Sequence, residues 1–486
     1  MMRASFLRSL MADTYPLERR SLFITSLLGG LLLLLAACSI TSPNISYDAC
    51  LAGEAPCPEV CNGEDDDRDE AIDEGLDEVC IVSVGDPFEL RTGGGRALAV
   101  TPDIDGDGLS DVLISNTRAT EDLDPSAPEE GFVALYSGRT HARQWEVKTG
   151  GDFGASIVVG KFGSEEPLWC AGAPTREGSN GVGRVICLNF NQEVIKSYSS
   201  EGDWGLGHRL RIRATSQGEQ ILVSEPRWTE IVGDGMEMTN VGRVLALEFT
   251  SEALSVAYAW NGTAAEQRVG EVFEAVHDSN GDGVGDLLFT GFDVSREGRE
   301  VWLVDGSLNK ISRIQSLVIG ENTQDRFGEA MAWGYFDVSN SNPHLAFGSS
   351  YVEADSMTSD LLSVGRVYFT DQIGQPLGTN SARPDPNGGS GYGSAMVSMT
   401  IEGRSYLIVA GAGRLRILKL NGGEVVVISE MSIPTGITPS LAGSNRLDGD
   451  GVYRFWLGMP ELSQAQEFTL RPPTLDTPSP DAETNP

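Results

Sequence analysis

The sequence predicts an all-β protein assembled from one repeated unit of short strands, and three observations lead to that prediction. Glycine is frequent: 58 of the 486 residues are Gly, about 12% against a usual ~7%, as turn-dense β folds require. One strand-forming pattern recurs about every sixty residues along the chain. Hydrophobic residues make up 40% and charged residues 22%, which is the composition of a folded globular protein.

Each copy of the repeat starts with an apolar residue and a Gly at the head of a strand. The copies are Phe153-Gly154, Leu206-Gly207, Val269-Gly270, Phe327-Gly328 and Tyr392-Gly393, with Gly94-Gly95 as a weaker first copy. A second strand then ends in small residues, and a third strand opens with Val-Gly-Arg-Val at 182–185, 241–244 and 364–367. The last copy, near 437–468, lacks the starting pair and is the least regular of seven.

These motifs resemble the FG-GAP repeats of integrin α-chain β-propellers and their bacterial relatives, and the resemblance covers roughly residues 81–470. It implies a seven-bladed β-propeller of the integrin α N-terminal type, preceded by a short Cys-rich acidic segment. A sheet of three or four short strands cannot bury both faces alone, whereas radial stacking buries them and leaves only short edges. We expect the segment from Ile81 to Leu90 to be the outer strand of the last blade, closing the ring.

Net charge excludes one class of partner. The chain has 70 Asp and Glu against 35 Lys and Arg, which gives a formal net charge of −35. Nucleic-acid binding needs a basic surface for the phosphates, so we expect no nucleic acid as a partner.

The N-terminal residues predict export from the cell. Arg19 and Arg20 precede an apolar run from Ser21 to Ala37, which is the layout of a secretory signal. At about 17 residues the run is short for a membrane span.

The end of this run resembles the lipobox of bacterial lipoproteins. It reads Leu-Ala-Ala-Cys, which implies removal of residues 1–37 and lipidation of Cys38 as a membrane anchor; a plain signal peptide with a chance Cys is the alternative. Ser39 stands where an Asp would retain the protein in the inner membrane, so an outer-membrane or cell-surface location in the bacterial envelope is favoured. The start codon is Met1 or Met11.

Cysteine usage agrees with an oxidising compartment. Of seven Cys, six remain once Cys38 is set aside, and an even number is typical of disulfide-bonded proteins. Cys170 and Cys187 fall in the second and third strands of one repeat and face each other across a hairpin, which predicts a disulfide; two buried free thiols are the alternative. In the acidic segment 38–80 we expect two local disulfides of open pairing among Cys50, Cys57, Cys61 and Cys80.

Two repeats carry an acidic loop between their first and second strands, at 103–111 and 278–286. Each loop offers side-chain oxygens at positions 1, 3, 5 and 9, a backbone carbonyl at position 7 and Gly at position 6, which suits Ca²⁺. An EF-hand would need Glu at position 12, so we predict strand-flanked calcium loops, with solvated acidic turns as the alternative. The predicted ligands are Asp103, Asp105, Asp107, the Leu109 carbonyl and Asp111, and Asp278, Asn280, Asp282, the Val284 carbonyl and Asp286.

The corresponding loop of the last repeat, 446–454, departs from this pattern. It keeps Asp at positions 3 and 5 but has Arg at positions 1 and 9, where a cation would be repelled. We expect internal pairing of Arg with Asp to replace the metal there.

A third acidic element precedes the repeats. Residues 61–74 resemble a Cys-Asn-Gly-x-Asp-Asp-Asp motif of secreted bacterial proteins that is labelled metal-binding and sometimes copper-binding. All-oxygen ligation favours Ca²⁺ over copper. Arg68 and Glu70 replace the second Cys and the Gly of the motif, so a solvated spacer is the alternative. The candidate ligands are Asp65, Asp67, Asp69, the Ala71 carbonyl and Asp73.

Catalytic motifs are scarce. The chain has four His, none in a metal-ligand or base–nucleophile spacing, and it has no Gly-x-Ser-x-Gly elbow, phosphate loop or His-Glu-x-x-His. We therefore predict a non-enzymatic cell-envelope lipoprotein whose calcium-stabilised propeller binds an unidentified protein or glycan. The segment 471–486 contains five Pro and predicts a disordered tail.

The alternative is a secreted propeller enzyme, a hydrolase or lyase acting on polysaccharide or phosphoester, because fold alone does not decide function. Such an enzyme would bring His, Tyr, Arg or paired carboxylates together in the central depression.

Overall fold

The computed structural model describes residues 79–471 except for the gaps at 118–130, 175–181, 203, 234, 294–297, 309–312, 320–325, 338, 351–364, 373 and 382–390. The predicted signal segment and Cys38, the acidic motif 61–74 and the tail beyond residue 471 therefore lie outside the described residues. So do Cys50, Cys57 and Cys61. The regular structure that is described consists of thirty strands and no helix. Correspondingly, these residues contain no helix that is long and apolar enough to cross a membrane.

The strands form seven four-stranded antiparallel sheets, which are the seven predicted blades. Strand β1 spans Cys80–Glu89. Blade 1 consists of β2 (Leu98–Val100), β3 (Val112–Asn116), β4 (Phe132–Tyr136) and β5 (Arg143–Lys148). Blade 2 consists of β6 (Ile157–Gly160), β7 (Leu168–Ala173), β8 (Arg184–Leu188) and β9 (Val194–Ser199).

The third blade contains an additional two-stranded hairpin. Its sheet consists of β10 (Leu210–Thr215), β11 (Gly218–Glu225), β14 (Arg243–Phe249) and β15 (Leu254–Asn261). Between β11 and β14 lie β12 (Glu230–Val232) and β13 (Met236–Met238), which pair only with each other.

The remaining blades have the simple four-strand order. Blade 4 consists of β16 (Phe273–Ala275), β17 (Leu287–Asp293), β18 (Gly298–Val304) and β19 (Arg313–Ile319). Blade 5 consists of β20 (Met331–Gly334), β21 (His344–Ser349), β22 (Arg366–Asp371) and β23 (Pro376–Ser381). Blade 6 consists of β24 (Ala395–Ile401), β25 (Arg404–Gly411), β26 (Arg414–Asn421) and β27 (Glu424–Ser432). Blade 7 takes β28 (Ser440–Gly443), β29 (Tyr453–Met459) and β30 (Gln464–Arg471) from the end of the propeller.

The ring is closed by the first strand of the propeller, as predicted. β1 pairs antiparallel with β30, with Ile81 opposite Leu470, and so becomes the outer strand of blade 7 in the order β28-β29-β30-β1. The first strands of successive blades contact one another in an unbroken cycle, β2, β6, β10, β16, β20, β24, β28 and back to β2. The first strands therefore surround the propeller axis.

The repeated pair of an apolar residue and Gly packs into the preceding blade. Leu206 is completely buried, and the N–H of Gly207, at a φ of 93°, donates to the Ser224 carbonyl of its own blade at 3.2 Å. A Cβ added to Gly172, at the end of β7, would lie 1.9 Å from the Gly207 carbonyl oxygen, and one added to Gly183 would lie 2.7 Å from the Leu206 nitrogen. This contact explains why second strands end in small residues and third strands open with Gly.

The same contact recurs around the ring. A Cβ on Gly348 would lie 1.9 Å from the Gly393 oxygen, and one on Gly458 would lie 2.2 Å from the Gly95 oxygen. The inserted apolar side chains are at most 2% exposed and fill the space between neighbouring sheets: Phe153, Leu206, Val269, Phe327 and Tyr392.

The predicted disulfide is present in blade 2. Cys170 and Cys187 are directly opposite each other on β7 and β8, with Cα atoms 4.0 Å apart, and are joined by a disulfide. Both side chains are completely buried, so the bond crosses the core of the blade.

We predict that Gly172→Ala lowers the free energy of unfolding by about 3 kcal/mol or more, because the new methyl group overlaps the backbone of the next blade. Gly403→Ala is the comparison: unlike Gly172, Gly403 has an unfavourable φ of +81°, but no atom lies within 4 Å of the added Cβ, so only about 1 to 2 kcal/mol should be lost to backbone strain. Denaturant unfolding of the full chain measures both. Equal losses would mean that the blade contact tolerates a side chain.

Candidate functional site

The first acidic loop joins β2 to β3 and is organised by Asp103. Its Oδ1 accepts the N–H groups of Gly106 and Asp107 at 2.7 and 3.1 Å, and its Oδ2 accepts that of Gly108 at 2.8 Å. Gly106 and Gly108 both have positive φ values, which the tight turn around the carboxylate requires. The carboxylate at position 1 therefore fixes the loop conformation.

Three predicted ligands of this loop are brought together. Carboxylate oxygens of Asp103, Asp105 and Asp111 lie within 4.8 Å of one another. Asp111 is completely buried and accepts the N–H groups of Ile104 and Gly138, both at 2.9 Å. Burial raises the pKa of Asp111 to about 6, although both hydrogen bonds oppose the rise. The donor set consists of hard oxygens and fits Ca²⁺.

The fourth predicted side chain, Asp107, lies outside this cluster. Its Oδ1 accepts the Leu109 N–H at 2.9 Å, and its Oδ2 accepts the Ser137 hydroxyl at 3.1 Å. Arg139 donates to the Asp107 carbonyl at 2.8 Å. Ser137 and Arg139 belong to the turn between β4 and β5. The sequence analysis did not assign them to the site, because they lie outside the acidic loop.

The second acidic loop, between β16 and β17, repeats the turn. Asp278 Oδ1 accepts the N–H groups of Gly281 and Asp282 at 2.6 and 3.1 Å, and Oδ2 accepts that of Gly283 at 2.7 Å. Slight burial acts to raise the pKa of Asp278, but the backbone hydrogen bonds outweigh it and lower the pKa. The two loops therefore have the same internal architecture.

The C-terminal end of the second loop also resembles that of the first. Asp286 is completely buried, and it accepts the Gly306 N–H at 3.0 Å and the N–H and hydroxyl of Ser279. Burial raises the pKa of Asp286. Asn280 replaces Asp105 of the first loop, so this site has one charge fewer, and Val284 donates its N–H to Asp282 Oδ1 at 2.9 Å.

In the last blade an arginine takes the place expected for a metal. Arg454, at position 9 of the loop, donates from Nη1 to Asp448 at 2.7 Å and to Asp450 at 2.9 Å, and from Nε to Glu467 at 2.7 Å. Its side chain is only 5% exposed. Burial opposes its charge, but the bonds from the Asp residues raise the pKa of Arg454. The predicted pairing of Arg with Asp within this loop is present.

The loop at 446–454 in blade 7 contacts the first acidic loop. Asp448 Oδ1 accepts the Ser110 hydroxyl at 2.5 Å, and the Gly449 N–H donates to the Gly108 carbonyl at 3.1 Å. The contact joins blades 7 and 1 where the ring closes. The first acidic loop is therefore held both by the β4–β5 turn of its own blade and by the loop of blade 7.

A cavity of about 640 Å³ lies at the other end of the first strands. Its lining comes from the starts of first strands and the ends of second strands of several blades, and includes Arg96, Arg209, Glu329 and Glu461. The acidic loops follow the first strands and the lining residues precede them, so the loops and the cavity lie at opposite ends of the same strands. Arg96 directly follows Gly95, and Arg209 lies two residues after Gly207. The sequence analysis gave neither position a role.

The histidines have separate environments. His208 precedes Arg209 near the cavity and is exposed. Partial loss of hydration among the surrounding residues, together with the Arg209 guanidinium, lowers the pKa of His208 to about 4. His141 Nε2 lies 2.7 Å from Glu467 Oε2. His277 packs against a tryptophan ring beside the second acidic loop, and burial lowers its pKa.

Comparisons with solved structures give matches over most of the chain at low sequence identity. A crystal structure of BBS1N in complex with ARL6DN is 12% identical, with a TM-score of 0.51 and coverage of 81% of this chain and 97% of that chain. Hydrazine synthase of Kuenenia stuttgartiensis is 12% identical, with a TM-score of 0.49 and coverage of 81% and 99%. The Dos1 propeller is 10% identical, with a TM-score of 0.45 and coverage of 79% and 94%. At these identities the likeness concerns the fold alone.

Comparison with sequences gives one local match. A search of curated proteins found no match. The family model described as FG-GAP repeat matches residues 94–136, which run from the first repeated Gly to the end of β4 and include the first acidic loop. The chain therefore carries an FG-GAP repeat and folds into a seven-bladed β-propeller.

Proposed function

We propose that the chain is a cell-envelope lipoprotein whose calcium-stabilised propeller is a binding or adhesion module for a protein or glycan. The observation that carries the proposal is the arrangement of the first strands. Two of them, β2 and β16, lead into acidic loops on one side of the propeller, and several first strands begin at an open cavity on the other side. Such a scaffold leaves one side for stabilisation and the other for a ligand.

The role proposed for calcium follows from charge. Asp103, Asp105 and Asp111 gather three carboxylates in one loop, and their mutual repulsion opposes folding unless a cation is bound. Arg454 performs this task for the carboxylates of the last blade. In the acidic segment before the propeller we propose that Ca²⁺ is bound in the same way by Asp65, Asp67, Asp69 and Asp73.

The cellular location is proposed from the N-terminal sequence. Residues 19–38 have the layout of a lipoprotein signal ending in Cys38, and Ser39 favours the outer membrane or cell surface. An anchored propeller in that place would meet partners in the periplasm or outside the cell.

The enzyme alternative has one observation in its favour. Arg96, Arg209, Glu329 and Glu461 line the same cavity, and arginines with carboxylates occur in sites that cleave polysaccharide or phosphoester. Both carboxylates are already engaged: Glu329 accepts the Ser350 hydroxyl, and Glu461 accepts the Thr438 N–H at 3.0 Å. The described lining contains no Tyr or His, so we favour binding over catalysis.

The binding function is tested with a glycan array and a surface-protein pull-down, each with and without Ca²⁺. We expect specific retention of a ligand that weakens when calcium is removed. Hydrolysis or elimination of an array glycan during incubation would instead establish the enzyme alternative.

We predict that calcium raises the melting temperature of the full chain by a few degrees. Free Ca²⁺ at about 100 times the dissociation constant raises the free energy of unfolding by roughly 2.7 kcal/mol per site. Because the entropy of unfolding is large for a domain of this size, the melting temperature rises only a little. Asp103→Asn and Asp278→Asn remove the charge at position 1 and keep one of the two acceptor oxygens of the turn. Each should reduce the calcium response in a thermal melt, and the double variant should remove most of it.

The last blade supplies the control for the calcium prediction. Asp450→Asn weakens the ion pair with Arg454, so it should lower the melting temperature without changing the calcium response. A melting curve that chelation leaves unchanged in the wild-type chain would defeat the calcium proposal.

We predict that Cys38→Ser moves the protein from the detergent phase to the aqueous phase in a phase-partition experiment. The reason is that serine lacks the thiol to which the lipid would be attached. Replacement of Cys170, which is bonded inside blade 2, should leave the partition unchanged. Continued membrane partition of the Cys38→Ser chain would contradict the lipoprotein assignment.

A further inference from the structure

We propose that the axial cavity binds the oxyanion of an acidic sugar through Arg96 and Arg209. The inference rests on the proposed binding function and goes beyond it by naming the chemistry of the ligand. It concerns the side of the propeller opposite the calcium loops.

The first argument is that these two arginines have no partners. Among the described residues, neither guanidinium forms an ion pair, a hydrogen bond or a ring contact. The chain has twice as many acidic as basic residues, 70 against 35, yet among the described residues no carboxylate is bonded to either of these two cations. Two in one cavity indicate that the counter-ion comes from outside the chain.

The acidic side chains near the cavity are already committed to other groups. Arg211 lies 2.5 Å from Glu274, and Arg299 lies 3.3 Å from Glu271. Glu329 lies 3.5 Å from Arg326. The three glutamates attract the Arg209 guanidinium from a distance, but among the described residues none of them forms an ion pair with Arg209 or Arg96.

Arg209 is partly buried directly before β10. Partial loss of hydration, together with the charge of Arg211, lowers the pKa of Arg209 to about 10, so the guanidinium still carries its charge at neutral pH. His208 beside it is neutral there, since its own pKa is about 4. A bound oxyanion would offer the partly buried guanidinium two parallel N–H···O bonds.

The remaining lining suits a polyhydroxylated ligand. Four lining residues carry hydroxyl groups: Thr92, Thr117, Thr438 and Ser463. The hydroxyl oxygen of Ser394, another lining residue, is buried and has no hydrogen-bond partner within the described chain. About 640 Å³ lies within the usual range of small-ligand sites, roughly 300 to 1,000 Å³. A sugar of one or two rings with a carboxylate satisfies both the hydroxyls and the arginines.

The test is calorimetric titration of the full chain with sodium glucuronate, with glucose, sodium sulfate and the amide of N-acetylaspartate as comparison probes. We expect glucuronate to bind and glucose to show no measurable binding. Arg96→Gln and Arg209→Gln should each weaken glucuronate binding at least tenfold. Arg143→Gln is the matched control, since Arg143 is half-exposed on an outer strand and paired with Glu146, and it should bind like the wild type.

Arg96 is exposed, so Arg96→Gln should fold normally, which a thermal melt verifies. If Arg209→Gln fails to fold, Arg209→Lys keeps the charge but not the planar fork, and it should still weaken glucuronate binding. No binding of glucuronate by the wild type, or equal binding by the arginine variants, would overturn the proposal. Sulfate or the aspartate amide binding as tightly as glucuronate would overturn the assignment to a sugar.

Failure of this inference can be told apart from failure of the proposed function. A chain that retains a ligand on the glycan array but ignores glucuronate refutes the oxyanion site and leaves the binding module intact. A chain that retains no ligand in either experiment refutes both.

Discussion

The structure depends on the contact between the Gly of one repeat and the end of the second strand in the preceding blade. At this contact two backbones meet so closely that Gly172 and Gly348 leave no room for a side chain. Packing of this density fixes the distance and the angle between neighbouring sheets. Because the contact is repeated, a small geometric preference at one junction becomes the curvature of the whole ring. The apolar residue before each Gly, such as Phe153, then fills the wedge that remains between the blades.

Much of this architecture is visible in the sequence, because each blade is a local unit. The strands of blade 2 follow one another directly, so the opposition of Cys170 and Cys187 could be predicted from their places in the repeat. The closing strand could be predicted because residues 81–90 have no other partner within the repeat pattern. The position of Arg454 within its loop likewise predicted the ion pairs with Asp448 and Asp450.

Other features depend on contacts that no local pattern encodes. Arg96 and Arg209 come from blades 1 and 3 and share a cavity only because the ring places all first strands around one axis. Asp107 fits the spacing of a ligand, yet its carboxylate is held by Ser137 from a turn thirty residues away. In both cases tertiary geometry, which is set by the blade contacts, decides what a side chain touches. Spacing along the chain predicts the acidic loops well and their detailed bonding less well.

The pairing of β1 with β30 also determines how the propeller responds to force. Cys80 lies opposite Arg471, so the chain enters and leaves the ring at neighbouring points of one blade. Tension between those two points would open the ladder one hydrogen bond at a time. Tension between Cys80 and a point elsewhere on the propeller, directed along β1, would instead load several hydrogen bonds of the ladder together, in shear. The pairing of β1 with β30 would thus resist such a load better than one applied between Cys80 and Arg471.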